Sequence, residues 1–433
     1  MNSEVSIQVM DQAGCVKELQ VEVVAETVQN RVDEIYNRIL KTAKVPGFRK
    51  GKMPIHLVRQ KFKNQVREEI LQGTIPEFFR QALTEKGIEP ISRPEVTSFF
   101  FEEGAPLKFI ARIEVRPSFE LKEYKGLKLK KDKIQVTPED LEKELSNIRE
   151  SAAVLVPIAD REARLNDEVI IDFEGKINGE AFKGNQGKGI SVRIGKGRLL
   201  KEFEDALIGV TVGLHKSFSV VFPDTAGYQE VAGTKAEFNV VVHEIKEVRL
   251  PELTDEFVKE NFQIESVDKL KEAIEKEIQH ARSVDQRAKL IHQITHHFLS
   301  EYQFEIPESL TSAEYRRLWN EQLQHFKSNQ IDFVKLPQDK QDELVRHLKD
   351  QSVENVKMAF IIEKISEAEK IICEEKDFHN YVETLAHNAH QSPQAMEAYI
   401  QKNSAQAKIQ EWIQYEKTLD FLISVADIEI IEK

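Results

Sequence analysis

Residues 44–54 read Lys-Val-Pro-Gly-Phe-Arg-Lys-Gly-Lys-Met-Pro and interrupt a helical pattern of apolar residues that continues on both sides. The two glycines and two prolines predict a loop, because glycine permits backbone paths that are closed to residues with a Cβ and proline stiffens the chain. Phe48 stands in this loop beside cationic side chains. An aromatic ring flanked by cations is typical of an anchor in a protein interface, so the loop is a candidate docking site.

The residues around the loop are strongly cationic. From Arg38 to Arg67 there are ten Lys or Arg residues and no Asp or Glu, although the chain of 433 residues carries a net charge of −13. Holding like charges together on an anionic protein indicates an anionic partner at this place. A solvated basic helix face and a nucleic-acid-binding surface are alternative interpretations. The alternative to an exposed anchor is that Phe48 folds back into its own domain.

The pattern along the chain predicts a multidomain α+β protein. Residues 1–115 combine alternating strands with amphipathic helices, and residues 116–159 form a charged connector that is expected to pack with the C-terminal domain. Residues 160–247 predict a small antiparallel sheet wrapped around one short helix. Residues 248–433 are predicted to be all-α, with extended arms. Their later helices are expected at roughly 308–328, 338–370, 376–390, 393–402 and 404–424.

Several classes of protein are excluded by what the sequence lacks. No uncharged apolar run approaches the roughly 18 residues of a membrane helix, and the start shows no signal-peptide pattern. Cys15 and Cys373 form no C-x-x-C, so we expect no disulfide framework and a reducing compartment, the cytoplasm. His292 and His296 lack the acid of an H-E-x-x-H motif, so no metal is expected. The glycines of residues 184–197 fit no phosphate-binding motif and are predicted to form turns, so no cofactor is expected.

The segment Gly47–Pro54, with Phe48-Arg49-Lys50 inside it, closely resembles the ribosome-docking signature of the bacterial trigger factor family. The chain length and the order of its parts also resemble that family, as does the sequence Leu-Pro-Glu-Leu-Thr-Asp-Glu-Phe at residues 250–257. The resemblance implies an N-terminal docking domain, an FKBP-type prolyl isomerase domain at 160–247 and a C-terminal chaperone domain that binds substrate chains. The ribosome-binding residues that it implies are Gly47, Phe48, Arg49, Lys50, Gly51, Lys52 and Pro54.

The same resemblance implies a function and a set of partners. The protein would be a ribosome-associated, ATP-independent chaperone that binds nascent polypeptides at the exit tunnel, assists folding and export, and isomerises X-Pro bonds. Its partners would be the large ribosomal subunit near the tunnel exit, through protein and adjacent rRNA, and unfolded or nascent chains. A second copy of the chain would be a partner away from the ribosome, and no membrane is implied. A free prolyl isomerase without ribosome docking, and a nucleic-acid-binding protein using residues 38–67, are the alternative functions.

The isomerase site implied by the resemblance is a cup of apolar side chains. Rotation of an X-Pro bond must break amide resonance, with a barrier of about 18–20 kcal/mol. Because a twisted amide is less dipolar than a planar one, an apolar and water-poor cup favours the twisted state. Phe203 would be the floor beneath the prolyl ring, and Tyr228 would offer its hydroxyl to a substrate carbonyl. By spacing alone, the favoured interpretation of these aromatic residues is that they only form the core of a small barrel, and the family resemblance reverses this for the set. The expected cup consists of Phe173, Phe182, Leu200, Phe203, Tyr228 and Phe238.

This sequence departs from the family pattern at the rim of the expected cup. Lys201 and Glu202 stand where the family commonly has Pro-Gly, and Lys183 stands where FKBP-type domains usually have an acid. Charges at the rim hinder the entry of apolar substrate or change the sequence preference. We therefore expect the fold to be retained and the isomerase activity to be weak.

Overall fold

The computed structural model describes residues 5–12, 14–46, 48, 51–182, 184–197, 199–223 and 233–431. The chain forms two compact units, one built from Met1–Asp132 with Arg287–Lys433 and the other from Lys133–Gln286. Within the described ranges, no helix is long and apolar enough to cross a membrane.

The N-terminal part of the first unit packs helices on one face of a four-stranded antiparallel sheet. Its strands follow the order β1-β2-β4-β3, and alternate residues such as Leu19, Val21 and Phe109 face the helices and are buried. Gly87, with φ +62°, ends the third helix in a left-handed cap. The elements are β1 (Val5–Asp11), β2 (Val16–Val23), α1 (Ala25–Thr42), α2 (Ile55–Glu69), a π-helical turn (Ile70–Thr74), α3 (Ile75–Lys86), β3 (Glu95–Phe100) and β4 (Leu107–Glu114). A further strand of this unit, β5, spans Lys128–Asp132.

The second unit holds a five-stranded antiparallel sheet and one short helix. The longest strand pairs with three others, and the order is β6-β10-β7-β8 with β9 also paired to β10. Buried side chains from alternate strand positions, such as Val169 and Val240, share one core with Phe203 and Leu207 from the helical segment. The elements are α4 (Pro138–Ser151), β6 (Val154–Ile158), β7 (Glu168–Lys176), β8 (Gln186–Arg193), α5 (Lys201–Ala206), β9 (His215–Val221) and β10 (Lys235–Arg249).

The helices of the second unit form a smaller core of their own. Helix α6 spans Asp255–Phe262, and α7 spans Val267–Glu301. Val258 of α6 and Leu270 and Ile274 of α7 are buried together, and apolar residues of α4 pack against them. The amphipathic spacing of these helices therefore buries one stripe of each.

The C-terminal part of the first unit is mainly helical and ends in a strand. Its core joins Phe298 of α7, Ile361 and Ile365 of the second long helix and Leu422 of the last helix. The elements are α8 (Glu308–Ser328), a 3₁₀ turn (Phe333–Lys335), α9 (Gln338–Glu369), α10 (Glu375–Asn388), α11 (Pro393–Lys402), α12 (Gln406–Ser424) and β11 (Asp427–Ile431). Strand β11 pairs in parallel with β5, so that Asp427 lies opposite Lys128.

Candidate functional site

The loop of residues 44–54 lies between α1 and α2, as the glycines and prolines predict. The side chain of Phe48 is 42% exposed, so it is not buried in its own domain. Its backbone N–H donates to the carbonyl of Val45 at 3.2 Å, and Gly51 has φ +78°, a left-handed conformation that favours glycine. Lys52 is exposed. Of the residues expected to bind the ribosome, Gly47, Arg49 and Lys50 lie outside the described residues.

Phe48 also contacts the domain that carries it. The ring borders a small cavity whose other walls come from the end of α1, the loop and the start of α2. The same side chain therefore has one side against apolar groups and another open to solvent. The cavity is lined by Ile39, Leu40, Ala43, Val45, Phe48, Gly51, Met53, Val58 and Phe62.

Part of the cationic segment is neutralised inside the domain. Arg38 forms an ion pair with Glu69, and Arg59 forms ion pairs with Asp33 at 2.5 Å and with Glu103 at 3.1 Å. The lysines of the segment that the structure describes differ from these arginines, because they are exposed and no carboxylate within the described ranges pairs with them. Arg38 and Arg59 are therefore paired within their own domain. The exposed lysines are Lys41, Lys44, Lys52, Lys61 and Lys63.

Arg59 belongs to a network that joins the two helices flanking the loop. Its guanidinium carbon lies 5.2 Å from the centre of the Tyr36 ring, and the Tyr36 hydroxyl donates to Glu103 Oε1 at 2.6 Å. Burial and the nearby Glu103 carboxylate raise the pKa of Tyr36, so that its hydroxyl stays protonated as a donor. The network connects Asp33 and Tyr36 on α1, Arg59 on α2 and Glu103 in the turn before β4.

Four of the predicted cup residues form one aromatic cluster. Phe203 and Phe238 are buried, and Phe173 and Phe182 are half-buried. The ring centre of Phe238 lies 5.1 Å from that of Phe203, 6.1 Å from that of Phe173 and 6.2 Å from that of Phe182, all edge to face. Such contacts stabilise aromatic pairs beyond the burial of their surface.

The other two predicted members have different outcomes. Leu200 is half-buried, packs against the same core and is the residue immediately before α5. Tyr228 lies outside the described residues.

Two further rings belong to the cluster and were not predicted from the sequence. Phe218 lies 5.0 Å from Phe203 between ring centres and is the direct partner of Phe238 in the β9–β10 register. Phe222 lies 5.8 Å from Phe182. The alternation of Phe218, Val220 and Phe222 placed them on one face of a strand, which is the signal that could have identified them.

A buried carboxylate next to the cluster was also missed. Glu204 is 2% exposed, and its two oxygens accept backbone N–H groups from Gly195 at 2.8 Å, Gly197 at 3.0 Å and Leu199 at 3.0 Å. A buried charge is tolerated only where hydrogen bonds replace its hydration. Glu204 thereby fixes the loop that leads into Leu200 and α5.

Of the three charged residues expected at the rim, Glu202 has a hydrogen-bond partner on a neighbouring strand. Glu202 Oε2 accepts the backbone N–H of Val221 at 2.9 Å, and Lys216 donates to the carbonyl of Ala206 at 2.8 Å. These two bonds fasten α5 along β9. Lys201 is exposed, and Lys183 lies outside the described residues.

The aromatic cluster can bind an apolar ring and exclude water, which is what isomerisation of a prolyl bond requires. Proton transfer is not needed for that reaction, because no bond to hydrogen changes. Among the residues with described positions, no group of three or more His, Cys, Asp or Glu is placed to hold a metal ion.

Comparison with known proteins finds the same domain order. Relatives that match include the trigger factor of Bacillus cytotoxicus, 33% identical over 95% of this chain and 96% of its own length, and that of Halothermothrix orenii, 30% identical over 94% and 96%. A solved structure of the trigger factor chaperone covers 97% of this chain and 99% of its own, with 19% identity and a TM-score of 0.55. Three family models match, described as bacterial trigger factor protein over residues 5–148, FKBP-type peptidyl-prolyl cis-trans isomerase over 159–246 and bacterial trigger factor protein C-terminus over 266–424.

Proposed function

Because the chain belongs to the bacterial trigger factor protein family, we propose that it docks on the ribosome through the loop between α1 and α2 and isomerises X-Pro bonds in the aromatic cup. The protein is a ribosome-associated chaperone with an FKBP-type prolyl isomerase domain. In the proposal, residues 1–115 dock, 116–159 connect, 160–247 isomerise and 248–433 hold unfolded chains.

The exposed ring of Phe48 is the observation that carries the docking proposal. An aromatic side chain that is 42% exposed in the free protein loses that exposure when it inserts into a partner, and apolar burial stabilises the complex. The exposed lysines around it attract an anionic surface at longer range. Arg49 and Lys50 are assigned to the same contact by the family resemblance, with Gly51 and Pro54 shaping the loop.

The family resemblance and the exposed lysines support a specific set of partners. We propose that the loop binds a protein of the large subunit beside the tunnel exit, with rRNA next to it facing the lysines. The family resemblance supports two further proposals, a cytoplasmic location and pairing with a second copy of the chain away from the ribosome. Sedimentation at several protein concentrations checks the pairing, and a single species of monomer mass throughout would contradict it.

For the isomerase, we propose that Phe203 supports the prolyl ring from below while Phe173, Phe182 and Phe238 form the walls. Leu200 completes the apolar lining, and Tyr228 is assigned by resemblance to the substrate carbonyl. The cup favours the twisted amide because its walls offer no water to solvate the planar dipole. The charges at the rim keep the expected activity weak.

Cosedimentation with ribosomes tests the docking proposal. We expect the variant Phe48→Ala/Arg49→Ala/Lys50→Ala to lose most of the pelleting shown by the wild type, because both the anchor and its charges are removed. The matched control is Arg80→Ala/Lys86→Ala, which removes two exposed cations of α3 outside residues 38–67 and leaves the loop intact. Equal pelleting of the triple variant and the wild type would refute the proposal.

Binding to naked RNA separates docking from simple nucleic-acid binding. A protein that binds through the phosphate backbone loses affinity steeply with salt. We expect the full chain to bind protein-free RNA weakly. The triple substitution should reduce ribosome binding far more than it reduces binding to protein-free RNA. Tight RNA binding with a steep salt slope, unchanged in the triple variant, would favour the nucleic-acid function.

A further inference from the structure

Two rings of the cup lie directly opposite glycines on neighbouring strands. Phe238 of β10 pairs with Gly175 of β7, and Phe173 of β7 pairs with Gly187 of β8. Gly187 was predicted to form a turn, and that prediction is wrong, because the residue lies within β8.

Lack of space for a side chain, and not backbone conformation, explains why glycine stands at positions 175 and 187. A Cβ added to Gly175 would lie 2.5 Å from Cε1 of Phe238, and a Cβ added to Gly187 would lie 2.6 Å from Cε1 of Phe173 and 2.7 Å from Cγ1 of Ile190. Neither glycine has the left-handed φ that would itself require this residue type. Interiors packed at this density have no room for the extra carbon unless a ring moves.

We infer that Gly175 and Gly187 are positioning residues of the isomerase, because each lets a cup ring rest against the backbone of the next strand and so sets the width of the cup. The inference rests on the proposed assignment of the cup as the isomerase site. Glycine in a strand often marks a place where another group approaches the backbone closely. Here the approaching groups are two walls of one site.

The direction of the displacement follows from the other neighbours of the rings. A methyl group at Gly175 pushes the ring of Phe238 away from β7 and toward β9, whose Phe218 ring centre lies 6.3 Å away. A methyl group at Gly187 pushes the ring of Phe173 away from β8 and toward β10, whose Phe238 ring centre lies 6.1 Å away. Both changes displace a wall of the cup, so they weaken the fit of the prolyl ring.

Steady-state kinetics of the full chain on a proline tetrapeptide tests the inference. We expect Gly175→Ala and Gly187→Ala each to raise KM by about tenfold or more, with kcat changed much less, since a single carbon in an apolar site changes discrimination by that order. A purely structural role would instead reduce the folded fraction, which lowers the apparent kcat and leaves KM unchanged. That result would overturn the inference.

The matched control is Gly73→Ala, because Gly73 has no left-handed φ and, apart from its chain neighbours and its own helix backbone, no described atom lies within 4 Å of an added Cβ. We expect its KM to equal that of the wild type. If Gly175→Ala does not fold, Gly187→Ala alone carries the test, since its ring neighbour Phe173 is only half-buried.

Two further variants separate the possible failures. Phe203→Ala should abolish activity; if it keeps full activity, the proposed site fails, whatever the glycine variants do. If Phe203→Ala is inactive while both glycine variants keep the wild-type KM, only the glycine inference fails.

Adding Ile190→Ala to Gly187→Ala relieves the 2.7 Å contact with Ile190 but not the contact with Phe173. We expect KM to stay raised in the double variant, and a return to the wild-type KM would overturn the role of Gly187.

Discussion

The carboxylate of Glu204 lies in the interior of the isomerase domain, where backbone N–H groups compensate its negative charge. Three N–H groups of residues 195–199 point at its oxygens, at 2.8–3.0 Å. Hydrogen bonds to a charged acceptor are the stronger kind, and an acceptor with three of them resists both water and rearrangement. The loop that ends in Leu200 is therefore held from inside the domain.

We expect Glu204→Gln to loosen this loop. An amide offers one acceptor oxygen, and its NH₂ group meets backbone N–H groups, so at least one buried donor loses its partner at a cost of about 1–3 kcal/mol. Hydrogen exchange of the amides of Gly195, Gly197 and Leu199 measures the effect. Glu202→Gln is the matched control, since Glu202 is exposed and binds one N–H; equal protection in the two variants would contradict the prediction.

Individual residues of the cup differ in how far the sequence predicts them. Strand alternation predicts that Phe173 and Phe238 face inward, whereas the grouping of the cup residues came from the family resemblance. Glu204 was not predicted, because an acid in the run Phe203-Glu-Asp205 has the pattern of a solvated helix face. Gly175 was also missed, since its role depends on a ring 63 residues further along the chain that only strand pairing brings to it.

At the scale of elements, the docking loop depends on the helices that carry it. The network of Tyr36, Arg59, Asp33 and Glu103 joins α1, α2 and the turn before β4. Removing one buried side chain of this network leaves its hydrogen-bonding partner unsatisfied. The two helices are then held less firmly relative to each other. The loop sequence itself is untouched by such a change.

We expect Tyr36→Phe to lower the free energy of unfolding by about 1 kcal/mol and to weaken ribosome binding, because Glu103 loses its hydroxyl donor. Chemical denaturation and cosedimentation measure the two effects. Arg31→Ala is the control on the same helix, since its ion pairs with Glu34 and Glu77 are at the surface and contribute little. Ribosome binding that stays at the wild-type level in Tyr36→Phe would show that the network does not position the loop.

Asp140, at the start of α4, gives a prediction about how the stability of the protein depends on pH. Asp140 accepts the N–H of Thr137 at 2.9 Å and pairs with Arg282 at 2.7 Å, and these bonds lower its pKa to about 2, the Thr137 backbone bond contributing most. A lowered pKa in the folded state stabilises the protein above the unfolded value of roughly 4, and this contribution is lost as the pH falls toward 2. We expect Asp140→Asn to be less stable than the wild type at pH 7. The difference should shrink between pH 4 and pH 2, as hydrogen exchange of α4 amides reports; a constant difference would contradict it.

Local signals predicted the helices better than the strands of the first unit. The predicted ranges 308–328 and 393–402 coincide with α8 and α11, because Pro307 and Ser392 mark their starts. Strand β11 was not predicted, because its alternation of polar and apolar residues covers only Asp427–Ile430 and its partner β5 is distant in sequence. The side chain of Gln293 likewise binds both the N–H and the carbonyl of Lys130, each at 2.8 Å, and no local pattern indicates it.

At the scale of the molecule, the docking loop and the aromatic cup belong to different compact units. We expect their functions to be separable by mutation. Phe203→Ala should abolish isomerisation and leave ribosome cosedimentation at the wild-type level, whereas the Phe48/Arg49/Lys50→Ala variant should do the reverse. Loss of both activities in either variant would contradict this independence.

Strand β11 also dictates an order of events while the polypeptide is being made. The unit Lys133–Gln286 is contiguous in sequence, so it can fold as soon as it has been translated. Strand β5, in contrast, can pair only after β11 has been synthesised, about 300 residues later. Each new copy therefore spends most of its own synthesis with one unit incomplete, and so is itself a partly folded chain of the kind that a ribosome-associated chaperone binds.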